Sequence, residues 1–147
     1  MRALLVLFTA VALGLALLGA PSPSAADAPR YVVIVHPDSP LTSISRDGLR
    51  DVFLKKALEW NDGVGVRPAD LGQRWPVRER FTREVLRKSP AQLRAYWNQR
   101  VFSGKGVPPV TLDSTDAMIG YVLSERGAVG YLPAGVDPRG AKIVAVE

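Results

Sequence analysis

The stretch from Asp113 to Pro133 constrains this chain more than any other. It reads as loop, helix and buried strand in one run. Asp113 or Ser114 offers a short side-chain oxygen that can accept from an orphan backbone N–H and so start a helix. Met118, Ile119, Val122 and Leu123 then recur at helical spacing as one apolar stripe. Arg126 suits the carbonyl end of that helix, and Gly127 is expected to end it in a left-handed conformation. Ala128 to Leu132 is a short apolar run stopped by Pro133. A helix feeding a buried strand is half of an α/β crossover. The free N–H groups of the helix start are also a place to hold an anion.

The rest of the chain repeats this alternation. Tyr31 to His36 is a β-branched run bounded by Pro37 and Pro40, expected as a central strand buried on both faces. His36 lies at its carboxyl end, near where ligands bind in open α/β sheets. As the one histidine of the chain, it reads first as a hydrogen-bonded structural residue. Ser45 caps a helix carrying Leu49, Val52 and Phe53, and Trp60 to Gly63 is a turn. Val64 to Asp70 returns as a strand whose Gly65 and Pro68 place it near a sheet edge or a loop mouth. Pro76 opens a helix with Val77, Phe81 and Val85 inward and arginines outward, Glu79 and Arg83 being four apart in the favourable order. Most of these arginines read as a solvated face. Arg74 and Arg78 differ, because they flank the helix start and can reach a bound anion.

Ser89, Pro90 and Gln92 spell a capping box with a first-turn proline. Leu93, Tyr96, Trp97 and Val101 follow at three and four, and the aromatics read as core filling. Phe102 to Pro109 is a glycine-containing loop with Lys105, but it lacks the spacing of a phosphate loop. Ala141 to Val146 closes the chain as a strand. Strands alternating with helices predict an α/β fold with a largely parallel sheet, helices on both faces, and ligand-competent loops gathered at one sheet end.

Composition bounds the function. The chain has 147 residues, 47% hydrophobic and 22% charged, which are globular values for one domain. With no cysteine and a single histidine, zinc hydrolases and cysteine enzymes drop out. Met1-Arg2, the apolar run Ala3 to Ala20 and the small residues to Ala26 read as a secretory signal peptide over 1–26, cleaved after Ala26. The other reading of that run is an uncleaved membrane anchor, which would then be the chain's one contact with a membrane. The domain proper is expected over 27–147, in the periplasm or secreted. Of 19 basic and 14 acidic side chains, only Arg2 lies in the leader, so the exported part stays net positive and favours anionic partners. Nucleic acid is not expected as a partner of an exported chain.

Three segments in order carry a family resemblance. Gly127-Ala128-Val129-Gly130-Tyr131-Leu132-Pro133 after an amphipathic helix resembles the end of the second lobe of phosphate-type periplasmic binding proteins. Ser45 to Leu54, followed by Trp60-Asn61-Asp62-Gly63, resembles that family's hinge-proximal helix and tryptophan turn. Order and spacing agree over nearly the whole exported part. The chain is similar to the short one-lobe members described as phosphate transporter substrate-binding-like proteins. The resemblance implies a single lobe of a type 2 periplasmic-binding-protein-like fold, and a role in phosphate delivery to an ATP-driven importer. There are departures. Where the family has Arg-Ala-Asp-Gly-Ser-Gly-Thr, this chain has Pro68-Ala69-Asp70-Leu71-Gly72-Gln73-Arg74. Asp70 matches the family aspartate, Pro68 replaces the ligand arginine, and Gly72 and Arg74 replace the serine and threonine. The other lobe's glycine loop is not encoded, so a lone lobe is expected to hold an anion without enclosing it.

The function expected is therefore an exported phosphate or small-oxyanion binding protein, non-catalytic and without a cofactor. Its contacts are Asp70, Gln73, Arg74 and Arg78 at one helix start and Ser114 and Thr115 at another. Asp70 would accept from a protonated ligand oxygen. The alternative is an envelope protein-interaction module that uses the scaffold without a small ligand, with an exposed Trp75 as its anchor. Catalysis is not expected: there is no nucleophile–base pair with local support, no metal cluster, and no glycine-x-serine-x-glycine elbow.

Overall fold

The computed structural model describes residues 30–147; the expected signal peptide lies outside them. In chain order the elements are β1 (Tyr31–Val35), β2 (Ser43–Ile44), α1 (Arg46–Phe53), β3 (Arg67–Leu71), α2 (Pro76–Glu84), α3 (Pro90–Phe102), β4 (Val110–Leu112), α4 (Thr115–Ser124), β5 (Ala128–Pro133) and β6 (Lys142–Val146). The strands form one sheet in the order β2-β6-β1-β5-β3-β4. β3 pairs parallel with β4 and β5, and β2 pairs parallel with β6. β1 alone runs the other way, antiparallel to both β5 and β6. The sheet is thus largely parallel with one reversed strand in its middle.

β5 shows how the two faces are filled, because successive side chains of a strand point to opposite faces. On one face the fully buried Tyr131 stacks on Phe81 of α2, ring centroids 4.0 Å apart and planes 6° off parallel. Phe53 of α1 and Tyr31 of β1 meet Phe81 edge-on at 4.8 Å and 5.3 Å. On the other face Gly130 leaves room for Met118 of α4, whose sulfur occupies the place a Cβ would take. Helices therefore cover both faces. Val33, Ile34 and Val35 are wholly buried between them, as a strand apolar at every position requires.

The local signals act as read at most helix starts. Ser45 Oγ accepts from Gly48 N–H at 3.0 Å. Ser89 and Gln92 complete a capping box, at 3.2 Å and 2.8 Å. Ser114, rather than Asp113, caps α4 by accepting from Ala117 N–H at 3.0 Å.

Four expectations need correction. Helix α4 stops at Ser124, with Glu125 already extended, so Arg126 lies outside it. Gly127 is not left-handed. It is glycine because a Cβ there would overlap the carbonyl oxygen of Gly65. Its own carbonyl accepts from Trp60 Nε1–H at 3.0 Å and Arg67 N–H at 2.9 Å. Leu123 and Val101 are exposed, since the buried stripes of α4 and α3 end at Val122 and Trp97. Finally, His36 is at the opposite end of the sheet from the loops after β3 and β4. The reversed strand pairs Val35 with Val129 at the beginning of β5. His36 Nδ1 accepts from Asp38 N–H at 3.1 Å, a local turn contact.

Pro68 sits one strand in from the edge without breaking the ladder. Arg67 N–H points to β5 and donates to Gly127. The next nitrogen therefore faces the β4 side, where pairing begins only at Ala69 with Val110.

Candidate functional site

Because β3 and β4 are parallel neighbours, the loops leaving them emerge at one end of the sheet. The first leads into α2 and the second into α4, so two helix starts lie side by side. Gly72 N–H donates to Leu112 O at 2.9 Å, and a Cβ on Gly72 would stand 3.1 Å from an Asp113 carboxylate oxygen. The two loops thus approach closely at Gly72, where a side chain would require the Asp113 carboxylate to shift. From there Arg74 Nη2 and Trp75 Nε1 both donate to the Asp113 carbonyl, the tryptophan at 3.1 Å. Trp75 is half-buried by this contact, which corrects the expectation of a freely exposed indole.

The six residues expected at a site divide as follows. Arg78 lies on α2 with its side chain 21% exposed, against 11% for Asp70. Arg78 Nε and Nη2 both donate to Asp70 Oδ2, at 3.0 Å and 2.9 Å. Asp70 Oδ1 takes a 2.5 Å hydrogen bond from the Tyr131 hydroxyl. Both carboxylate oxygens are therefore engaged from within. A guanidinium has five N–H donors, so Arg78 keeps three for other acceptors. Gln73 and Arg74 are exposed at the α2 start; Ser114 and Thr115 are half-buried at the α4 start. The Asp113 carboxylate lies among them, while Asp116 is paired with Arg139 at 2.5 Å.

The electrostatics follow from burial. Removal from water pushes the Asp70 carboxyl above its ordinary range, against the pull of Arg78 and Tyr131. Burial, then the neighbouring Asp70 charge, pushes the Tyr131 hydroxyl far up, so it stays protonated and donates. Unlike α1, α3 and α4, helix α2 has no side chain bonded at its N-cap, Trp75. Pro76 at its first position has no N–H and the Arg78 N–H turns back to the Trp75 carbonyl at 2.9 Å, so this end offers its positive dipole more than free backbone donors, beside Gln73, Arg74 and Arg78.

Next to this end a cleft of about 360 Å³ opens between α2 and α3 and against β4. Gln73, Arg78 and Glu79 line it on the α2 side together with Thr111 of β4. Leu93 and Trp97 line it from α3. Sequence reasoning missed Tyr131 as the anchor of Asp70. The signal was there in principle, since a buried tyrosine hydroxyl needs a partner. It also missed the cleft, which depends on how two helices lie and not on any motif.

No protein-family model and no curated protein matches this chain. Solved structures do. A Clostridium perfringens structure described as a phosphate ABC transporter substrate-binding protein with bound phosphate superposes at a TM-score of 0.62, with 16% identity, over 79% of this chain and 44% of that one. An ABC-type phosphate transport receptor from Vibrio cholerae gives 0.61 and 16%, over 79% and 45%. PstS from Borrelia burgdorferi gives 0.61 and 11%, over 80% and 47%. The chain thus spans less than half the length of these structures. At such identities the likeness is one of fold: a single lobe of the periplasmic-binding-protein-like α/β fold.

Proposed function

We propose that this chain is an exported, non-catalytic oxyanion-binding protein, with phosphate the first candidate ligand, acting as an accessory of ABC-type uptake. The observation that carries this reading is the meeting of the α2 and α4 starts at one sheet end, with the positive dipole end of α2 beside the Arg74 and Arg78 guanidiniums. The positive end of a helix dipole and an arginine fork suit a tetrahedral anion. In this reading Arg78 is the principal cation, held in place by Asp70. Gln73 and Arg74 add donors from the loop. Thr115 and the Ser114 hydroxyl contribute from α4; Ser114 can donate its hydrogen while its oxygen caps the helix. The likeness in fold to proteins named for phosphate transport supports the choice of anion. Residues 1–26 supply the export signal.

The test is calorimetric titration of the purified domain with phosphate and sulfate. Saturable heat, accompanied by a gain in thermal stability, is expected. Ligand at a hundredfold over its dissociation constant adds about 2.7 kcal/mol. Absence of heat at millimolar phosphate and sulfate would remove the reading.

A second reading, an envelope protein-interaction module, is favoured by one observation. Phe102 is 96% exposed at the end of α3, with Val101, Val107 and Val110 also exposed near it in sequence. Exposed apolar groups of this kind serve partner surfaces. Cross-linking in the envelope fraction, compared between the natural chain and Phe102→Ala, tests it. An unchanged cross-linking pattern would count against it.

A further inference from the structure

We infer that the cleft between α2 and α3 receives the hydroxylated organic part of a phosphate monoester of a polyol or sugar, its oxyanion seated at the mouth by Gln73 and Arg78. This rests on the oxyanion reading and narrows its ligand.

The cleft is too large for a bare tetrahedral anion. Its volume of about 360 Å³ falls among sites for whole small molecules, which run from about 300 to 1,000 Å³. One wall is a single face of α3, with Leu93 and Trp97, and Arg94 and Asn98, each four residues apart. Leu93 and Trp97 are buried and form an apolar floor, while Arg94 and Asn98 stand exposed at the rim. The side chains of Gln73, Arg94 and Asn98 have no hydrogen-bond or ion-pair partner among the described residues.

That mixture selects the ligand. A wholly apolar tail would cover Arg94, Asn98 and Gln73 and leave their polar groups unpaired, which is unfavourable. A bare anion would leave most of the cleft unfilled. A carbon chain or ring bearing hydroxyls offers C–H surface to the floor and O–H groups to the rim together. Arg78 lines the same cleft and is fixed by Asp70, so the charged end of the ligand belongs at the α2 start.

The test is calorimetry of the purified chain with inorganic phosphate, glucose 6-phosphate and glucose. Glucose 6-phosphate is expected to bind at least tenfold more tightly than phosphate, and glucose not at all. Asn98→Trp, a change at an exposed position that fills the cleft, is expected to abolish the advantage of the ester and leave phosphate affinity unchanged. Arg94→Ala should reduce the ester affinity severalfold, again sparing phosphate. Phosphate binding with no gain for the ester overturns this inference and leaves the oxyanion reading standing. Glucose binding as well as its phosphate also overturns it. Heat from none of the three removes the oxyanion reading itself.

Discussion

The Tyr131 hydroxyl hydrogen-bonds Asp70 Oδ1 at 2.5 Å, joining the strand that closes the core to the strand that begins the candidate site. Both residues are buried, at 0% and 8% exposure. The bond therefore sits where an unpaired oxygen has no water to turn to. Tyr131→Phe keeps the ring stacked on Phe81 and removes only the donor. It is expected to cost about 2 kcal/mol at neutral pH, within the range for a buried hydrogen bond to a charged group. Urea unfolding of the two proteins measures this.

The same pair gives a pH dependence with a definite sign. Burial and the Asp70 charge raise the Tyr131 pKa above its ordinary 10.0. A raised folded pKa means that the stabilisation is complete below pH 10 and is lost as the pH climbs past that value, because the unfolded chain ionises there and the folded one does not. The natural protein should lose about 1.4 kcal/mol per pH unit from this group. Tyr131→Phe lacks that loss, so the two stabilities should converge between neutral pH and pH 11. Parallel curves would show that Tyr131 is not held protonated.

Two glycines on either side of the α4 end should respond oppositely to alanine. A Cβ at Gly127 would overlap the Gly65 carbonyl oxygen, a backbone atom that cannot rotate away. Gly127→Ala is expected to cost about 3 kcal/mol or more, at the upper end for overpacking. Gly120 lies inside α4 with nothing near a built Cβ. Gly120→Ala should stabilise by about 0.5–1 kcal/mol through helix propensity alone. Denaturant midpoints of the two variants check both signs.

These pairs also mark where the sequence stops being legible. The α3 start could be read because Ser89, Pro90 and Gln92 act on one another within a single turn. The strands β1, β5 and β6 could be read because a β-branched or apolar run of that length has few other uses. The reversed direction of β1 could not, because side-chain periodicity is the same for a strand run either way. Gly127 looked like a helix terminator because its true neighbour, Gly65, is remote in sequence. Tyr131 and Asp70 are 61 residues apart, and each alone fits a bland reading. At the site, the α2 and α4 starts were legible as caps and charges. Which donors stay available depended on where Arg74, Trp75 and Arg78 reach, and only the packing decides that.

A change at the start of α3 tests the capping logic apart from any ligand. Ser89 Oγ accepts from Gln92 N–H while Gln92 Oε1 accepts from Ser89 N–H. Ser89→Ala removes one of these bonds and loosens the other. A loss of about 1 kcal/mol is expected, read from the urea midpoint. Ser124→Ala, at the far end of α4 and exposed, should stay within about 0.5 kcal/mol of the natural protein.

The geometry of Arg78 sets the last expectation. Its Nε–Nη2 edge is taken by Asp70 Oδ2, so the guanidinium cannot swing, and its remaining N–H groups are aimed in advance. A lysine at this position keeps the charge but has one ammonium group, which cannot hold Asp70 and an anion in the same planar fork. Arg78→Lys should therefore weaken phosphate binding by about tenfold, equivalent to about 1.4 kcal/mol. Arg83 lies on the same helix, more exposed and paired with Glu79 at 2.9 Å. Its replacement by lysine keeps net charge equal and should leave phosphate affinity unchanged. Calorimetric titration of both variants separates a positioned fork from a general positive field. Equal affinities in the two would mean that Arg78 acts only through its charge.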